Sequence, residues 1–471
     1  MEKEQKIYKK LKKEPPKIVF EDNLIEEAKK TSVKEATAYS FMDGFGLRYI
    51  SPFALAVGAN NTQIGLLSSL PSLLGNLSQL FTLKAMKHWT RKKIVYLGVF
   101  IQSLLWLALI GAGSIYFIFG NKELAPMFVV IIYTLLILAG AFSGPAWQSW
   151  MRDLVKKDIG VYFGRRSRIA TTISLICTII AGFILDYFKH TKIFLGFIIL
   201  FSIAFIGRFI SSRLMLKQYE PEFKSDDKYY FSLKDFIKRM HKNNFGRFVI
   251  YFSLVSLTVN ISGPFLAVYM LKNLNFSYSY FMIITLASVI TTLIFVRPWG
   301  KFADRYGNLK TMSINGMLIP FLPFLWFISI FFETKLAVLI FLFIVECFSG
   351  AIWAGFNIAA GNFIYDAVSR QRLAICATYF NILAGLGVLI GAMLGGLISS
   401  HYTTIFGLKS ILFIFLLGGI ARFAVYFIMK SKIQEVRKVE NFDLKEHINQ
   451  MKEKFSLGRS SKRFFELNSP D

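Results

Sequence analysis

The chain has 471 residues, 54% hydrophobic and 16% aromatic, with only 18% charged and a net charge of +26. A soluble domain intersperses about 25% charged residues among apolar ones; here the charges crowd into short stretches between apolar runs of roughly 20 residues, the thickness of a bilayer core. That pattern excludes a soluble globular protein, and the absence of short alternating segments excludes a membrane β-barrel. The basic residues flank apolar runs, where they set membrane orientation, so no nucleic-acid partner is expected.

Residues 1–35 are rich in Lys and Glu without an apolar core and predict a cytoplasmic N-terminal segment with no signal peptide. Twelve apolar runs follow. They predict twelve transmembrane helices, because backbone groups in hydrocarbon must be paired internally. Spans 1–6 are expected over 36–59, 62–83, 94–118, 127–150, 169–188 and 193–211. Spans 7–12 are expected over 248–270, 278–299, 311–332, 336–360, 373–399 and 409–429. The linker 212–247 carries nine Lys and Arg, and 430–471 reads as a polar tail. Sixteen basic residues, among them Lys87, Arg91, Lys156, Lys157, Arg166, Lys301 and Arg370, fall in loops assigned inside, against six in loops assigned outside. The bias predicts a plasma or inner membrane protein with both termini and the linker in the cytoplasm.

The two halves repeat one another. Ser143-Gly144-Pro145-Ala146-Trp147 returns as Ser349-Gly350-Ala351-Ile352-Trp353, Pro52-Phe53 as Pro264-Phe265, and the Arg208 segment as the Arg422 segment. Matching offsets in matching spans imply a duplicated six-helix unit, 36–211 and 248–429. Between spans 8 and 9, Gly300-Lys301-Phe302-Ala303-Asp304-Arg305-Tyr306-Gly307-Asn308-Leu309-Lys310 resembles the G-x-x-x-D-R/K-x-G-x-x-R/K loop signature of the major facilitator superfamily. Asp153-Leu154-Val155 with Gly160 and Gly164 is similar to that superfamily's span 4–5 loop. The resemblance implies an all-α membrane protein of twelve transmembrane helices in two pseudo-symmetric six-helix bundles. It makes Gly300, Asp304, Arg305, Gly307 and Lys310 a gating motif, with Asp304 near the N-terminus of span 11 at about Leu373, where a helix dipole favours an anion. At the first-half counterpart Lys87 and Thr90 replace the Asp and the second Gly, so the acidic latch is missing there, although Arg91, Lys92 and Lys93 remain. The mid-helix Arg of span 4 and the Gly-Pro signature of drug antiporters in span 5 are absent too, which argues against a drug/proton antiporter.

Ionisable groups deep in a membrane are costly and therefore candidate functional groups: Asp43 and Arg48 in span 1 and Glu346 in span 10. On a straight α-helix, residues five apart point roughly 140° apart, which predicts no close Asp43–Arg48 pair. The resemblance places spans 1, 4, 7 and 10 around a central cavity. Arg48 and Glu346 are then expected to form an exchangeable ion pair there, with protonation of Glu346 freeing Arg48 for an anionic substrate group. Asp43 or Glu346 would supply proton coupling. Trp147, Gln148, Trp353 and Asn357 on the paired spans 4 and 10 are the uncharged binding candidates, followed by Gln102, Asn260, Tyr379 and Asn381. Arg208 and Arg422 predict architectural arginines snorkelling to the cytoplasmic surface, Asp186 an interfacial residue, and Gly387, Gly391 and Gly395 close helix packing. The cysteines all lie inside apolar runs and the histidines all outside them. No disulfide, metal, cofactor or catalytic constellation is therefore expected, and no enzyme. The function implied is a monomeric secondary transporter of a small solute, with a lipid flippase and a non-transporting sensor or scaffold as alternatives.

Overall fold

The computed structural model describes residues 17–155, 159–190, 192–221, 232–369 and 372–440. Lys156, Lys157 and Arg370 of the inside loops, the first sixteen residues, linker residues 222–231 and the tail from 441 lie outside the described residues.

The chain begins with α1 (Lys17–Phe41), which runs through a π turn (Met42–Gly46) and a 3-10 turn (Leu47–Tyr49) into α2 (Ile50–Ala56). Then follow α3 (Asn61–Ala85), α4 (Arg91–Phe117), α5 (Leu124–Leu154), α6 (Ile159–Phe188) and α7 (Ile193–Lys217). After the short linker helix α8 (Leu233–Arg239), α9 (Asn244–Ser262) passes through a 3-10 turn (Gly263–Phe265), α10 (Leu266–Val268) and a second π turn (Tyr269–Asn273). The remaining helices are α11 (Tyr278–Tyr306), α12 (Asn308–Leu318), α13 (Phe321–Ile328), α14 (Lys335–Ala367), α15 (Leu373–His401) and α16 (Ser410–Met429). A two-residue hairpin, Thr404–Ile405 with Leu408–Lys409, precedes α16.

Capping chemistry fixes the starts. Asn60 and Gln63 bond reciprocally at the head of α3, and Thr90, Asn243, Ser277 and Thr334 each accept the N–H three residues on. The 3-10 turns in the first and seventh helical stretches, Leu47–Tyr49 and Gly263–Phe265, each fall at or just before a proline. Pro52 and Pro264 carry no N–H, so the carbonyls four residues earlier lose their helical partner.

Among the described residues, ten helical stretches are long and apolar enough to cross a membrane. The two expected spans outside that set are 36–59 and 62–83. Both are helical and packed against the other helices; the first is interrupted and carries Asp43 and Arg48, and the second carries many Ser, Thr, Asn and Gln. The apolar core is divided unevenly. One cluster joins both halves of the chain, with Phe53, Phe197, Phe265, Tyr269 and Phe415 fully or almost fully buried. A second draws its buried residues from the second half alone, and a third from the first half alone.

Candidate functional site

The breaks in the first and seventh helical stretches border a cavity of about 470 Å³. Leu47, Ile50 and Ser51 line it from the first stretch, Ser68, Pro71, Ser72 and Asn76 from α3, Tyr133 and Ile137 from α5, and Pro264 from the seventh. Its polar groups are hydroxyls and an amide, and among the described residues no charged side chain lines it. Sequence reasoning missed this set, although Ser68, Ser72 and Asn76 recur every fourth residue and so stripe one face of α3. A larger hollow, about 1010 Å³, lies at the second half's inside-loop end among linker residues 235–245, Arg372 and Glu435, away from these breaks.

Asp43 and Arg48 do meet. Their carboxylate and guanidinium lie 3.6 Å apart, contrary to the straight-helix expectation, because the π turn Met42–Gly46 packs more residues into each turn and brings residues five apart onto one face. Ser174 of α6 also donates to the Asp43 carboxylate. Both charged side chains remain about a quarter to a third exposed. Glu346 has other company: Trp326 Nε1 of α13 donates to it at 3.2 Å, and Ser288 of α11 hydrogen-bonds to it as well. The expected Arg48–Glu346 exchange pair is not formed, since Glu346 faces α11 and α13 within its own half. The other candidates are likewise dispersed. Trp147 stacks beneath Arg166 at 4.8 Å, Trp353 packs on Phe356, and Gln148 and Asn357 are exposed and outside the cavity wall. Asn260 bonds back to Ser256 of its own helix.

The halves are sewn together at the end where α2 ends and α3 begins. Asn61 donates to the Ser399 carbonyl, and Thr62 bonds to Ser400 through N–H and hydroxyl at 2.9 and 3.0 Å. Lys272 donates to the Ala59 carbonyl at 2.9 Å. Asp186, at the end of α6, accepts the N–H groups of Tyr278 and Ser279 at 2.7 and 2.8 Å, capping α11 of the other half. Deeper in, Asn76 donates to the Asn381 carbonyl. Gly387, Gly391 and Gly395 lie against the carbonyls of Ser253, Leu257 and Ile261, so that α15 packs closely on α9.

At the opposite end each half is clasped by its own residues. Arg91, at the head of α4, is fully buried; its Nη1 meets Asp153 at 2.5 Å and its Nε meets Glu220 at 3.3 Å. Glu220 also accepts the N–H groups of Arg91 and Lys92. The first half therefore does have acidic latch groups, supplied by α5 and the linker rather than at Lys87. The second half repeats the arrangement with Glu435, which accepts the Leu309 N–H at 2.7 Å, and Asp366, which takes the Asn308 amide at 2.6 Å and Arg437 at 3.0 Å. Asp304 is 74% exposed, with Arg437 at 3.9 Å; the carboxylate that caps a helix here is Glu435 on α12, not Asp304 on the eleventh span. Arg305 pairs with Glu440 at 2.6 Å. Gly307 has φ +95°, and a Cβ there would strike the Glu435 carboxylate, so this turn needs glycine twice over. Gly300 packs against Ile358, and Lys310 also has an interaction partner.

Arg208 and Arg422 are buried rather than snorkelling, at 7% and 8% exposure. Arg208 donates to Gln102 at 2.7 Å and to Ser211 at 3.1 Å, and lies 3.6 Å from Glu35. Glu35, expected in the cytoplasmic segment, is 2% exposed and paired with Arg166 at 2.7 Å.

Comparison with known proteins agrees with this architecture. Residues 248–458 match the family model of the Major Facilitator Superfamily. No curated protein sequence matches the chain. Among solved structures, the nucleoside transporter NupG superposes with a TM-score of 0.65 at 15% identity, covering 86% of this chain and 98% of that one. A bacterial homologue of the iron transporter ferroportin in an inward-facing state gives 0.65 at 12%, covering 86% and 99%. An inward-facing, unoccupied bacterial homologue of the lysosomal transporter Spinster gives 0.61 at 14%, covering 87% and 98%. At these identities the likeness is one of fold. The protein is a multi-pass membrane protein whose residues 248–458 match the Major Facilitator Superfamily and whose fold over most of the chain is similar to that of solved transporters.

Proposed function

We propose that the chain is a secondary transporter that moves a small, uncharged, hydrogen-bonding solute by alternating access. Twelve helices would cross the membrane in two six-helix units, with the stretches 17–56 and 61–85 among them, and both termini would be cytoplasmic. The observation that carries this reading is the 470 Å³ cavity bordered by the broken first and seventh stretches, beside a seam of polar contacts that joins the halves at one end. Broken helices at a repeat interface are how transporters present polar groups to a solute. Ser51, Ser68, Ser72, Asn76 and Tyr133 would hold hydroxyl or amide groups of the solute, while Ile50, Leu67 and Ile137 wall it. The seam end corresponds to the loops poor in basic residues, so this state is open to the cytoplasm and closed outside.

Asp43 would couple transport to protons. Its carboxylate is held by Ser174 and Arg48, so protonation would free Arg48 and loosen the contact between the first stretch and α6. Uptake of neutral polyhydroxylated solutes into proteoliposomes, with and without a pH gradient, tests the reading. Ser72→Ala and Asn76→Ala should each raise the half-saturating concentration about tenfold, as loss of one hydrogen bond does. Asp43→Asn should keep solute binding and lose the response to the gradient. Uptake confined to charged solutes, or unaffected by both cavity variants, would sink the proposal.

A further inference from the structure

The two duplicated arginines differ in one respect that bears on ligand binding. Arg208 has a carboxylate, Glu35, at 3.6 Å. Arg422 is equally buried but, among the described residues, has no carboxylate within ion-pair distance; its partners are the carbonyls of Ile319 at 3.4 Å and Val259 at 3.2 Å and the Ser262 hydroxyl at 2.7 Å. The repeat accounts for the difference. Glu35 advanced by the 212-residue offset of the Pro52/Pro264 pair falls on Arg247, so the second half carries a cation where the first carries the neutralising acid. Arg247 itself turns to the carbonyls of His241 and Lys432.

An isolated buried cation costs several kcal/mol unless it is paired. Arg422 borders a small cavity between α9, α12 and α16, lined also by Tyr251, Val255, Thr258, Gly316, Ile319 and Tyr426, with room for the centre of one small body, about 10 Å³. Among the described residues the Arg422 Nε–H has no hydrogen-bond partner. The Tyr251 hydroxyl lies beside Gly316, and the Tyr426 hydroxyl shares a 3.2 Å hydrogen bond with Ser313. Arg422, Tyr251 and Tyr426 thus border one cavity with N–H and O–H groups and, among the described residues, no carboxylate beside Arg422. A water molecule would accept at most two of these hydrogen bonds and leave the charge; a monatomic anion accepts from several donors and cancels the charge.

We propose that this cavity is a binding site for a small monovalent anion, chloride in the cell, held by Arg422, Tyr251 and Tyr426 and closing the charge balance of the second half. The site lies apart from the transport cavity, which Arg422 does not line.

The test is thermal unfolding of the purified full-length protein across a sodium chloride series, with sodium gluconate holding ionic strength constant and sodium bromide as a second probe. Chloride and bromide, but not gluconate, should raise Tm in a saturable way. Arg422→Gln should abolish the shift. Tyr251→Phe, which removes a donor and keeps the charge, should raise the half-effective chloride concentration several-fold, and it remains decisive if Arg422→Gln does not fold. Arg208→Gln should keep the chloride shift, since its charge is already neutralised by Glu35. No halide-specific shift in the wild type overturns the proposal, as does a shift of unchanged size in Arg422→Gln or an unchanged half-effective concentration in Tyr251→Phe.

Discussion

Asp186 was legible in the sequence only as a residue near the end of a span. Its carboxylate spans the two halves, accepting two N–H groups at the head of α11. Hydrogen bonds to a charged group contribute about 1.5–3 kcal/mol, so Asp186→Ala should move the equilibrium toward the state open at this end by roughly ten- to a hundredfold. The labelling rate of a cysteine at Ser51 by an impermeant reagent added outside cells reads this shift; an unchanged rate would show that Asp186 does not hold the seam. At the clasped end, Arg91 is buried between two carboxylates, and losing Glu220 would leave its charge held by the half-exposed Asp153 alone. Glu220→Gln should therefore lower Tm distinctly; a melting temperature that the substitution leaves unchanged would show that Glu220 does not hold the clasp. The sequence did not reveal Glu220 and Glu435, although a duplicated Arg is followed in each half by a Glu twelve or thirteen residues on. Loop motifs drew attention to Asp304, whereas Glu220 and Glu435 lie beyond the last span of each half.

Helix positions were largely readable from hydropathy, because hydrocarbon imposes length and composition on whatever crosses it. What hydropathy could not show was the internal geometry of a helix. The π turn at Met42–Gly46 overturned the angular argument about Asp43 and Arg48, and only the glycines and Pro52 hinted that the helix was irregular. The α3 stripe of Ser68, Ser72 and Asn76 shows how a cavity face lowers mean hydropathy and also marks the site. The glycine stripe of α15 was read correctly, since small residues every fourth position leave little else to pack but backbone. Gly391→Val would drive a Cβ into the Leu257 carbonyl oxygen, whereas at Gly111 of α4 nothing among the described residues lies within 4 Å. Gly391→Val should cost at least about 1–3 kcal/mol through overpacking and lower Tm or abolish folding, while Gly111→Val should be tolerated. Equal melting temperatures would contradict the close α9–α15 contact.

At the scale of the molecule, the loop motif at Gly300–Lys310 and the duplication anticipated the superfamily match of residues 248–458, but not which end of the molecule is closed. That depends on contacts between residues more than 300 positions apart, such as Thr62 with Ser400, for which one sequence carries no signal. A cysteine at Asn23, at the start of the first helix, should be unreactive to an impermeant reagent outside whole cells if the N-terminus is cytoplasmic; outside labelling would reverse the orientation. Alternating access itself is open to a test that requires no knowledge of the solute. Thr62→Cys and Ser400→Cys, whose hydroxyls stand 3.0 Å apart across the seam, are cross-linked by oxidation, and a third cysteine at Ser72 in the cavity is probed from each side of the membrane. With the seam locked, Ser72→Cys should react only from the cytoplasmic side; after reduction it should react from both sides. Labelling from outside while the cross-link is intact would contradict a transporter that opens to one side at a time.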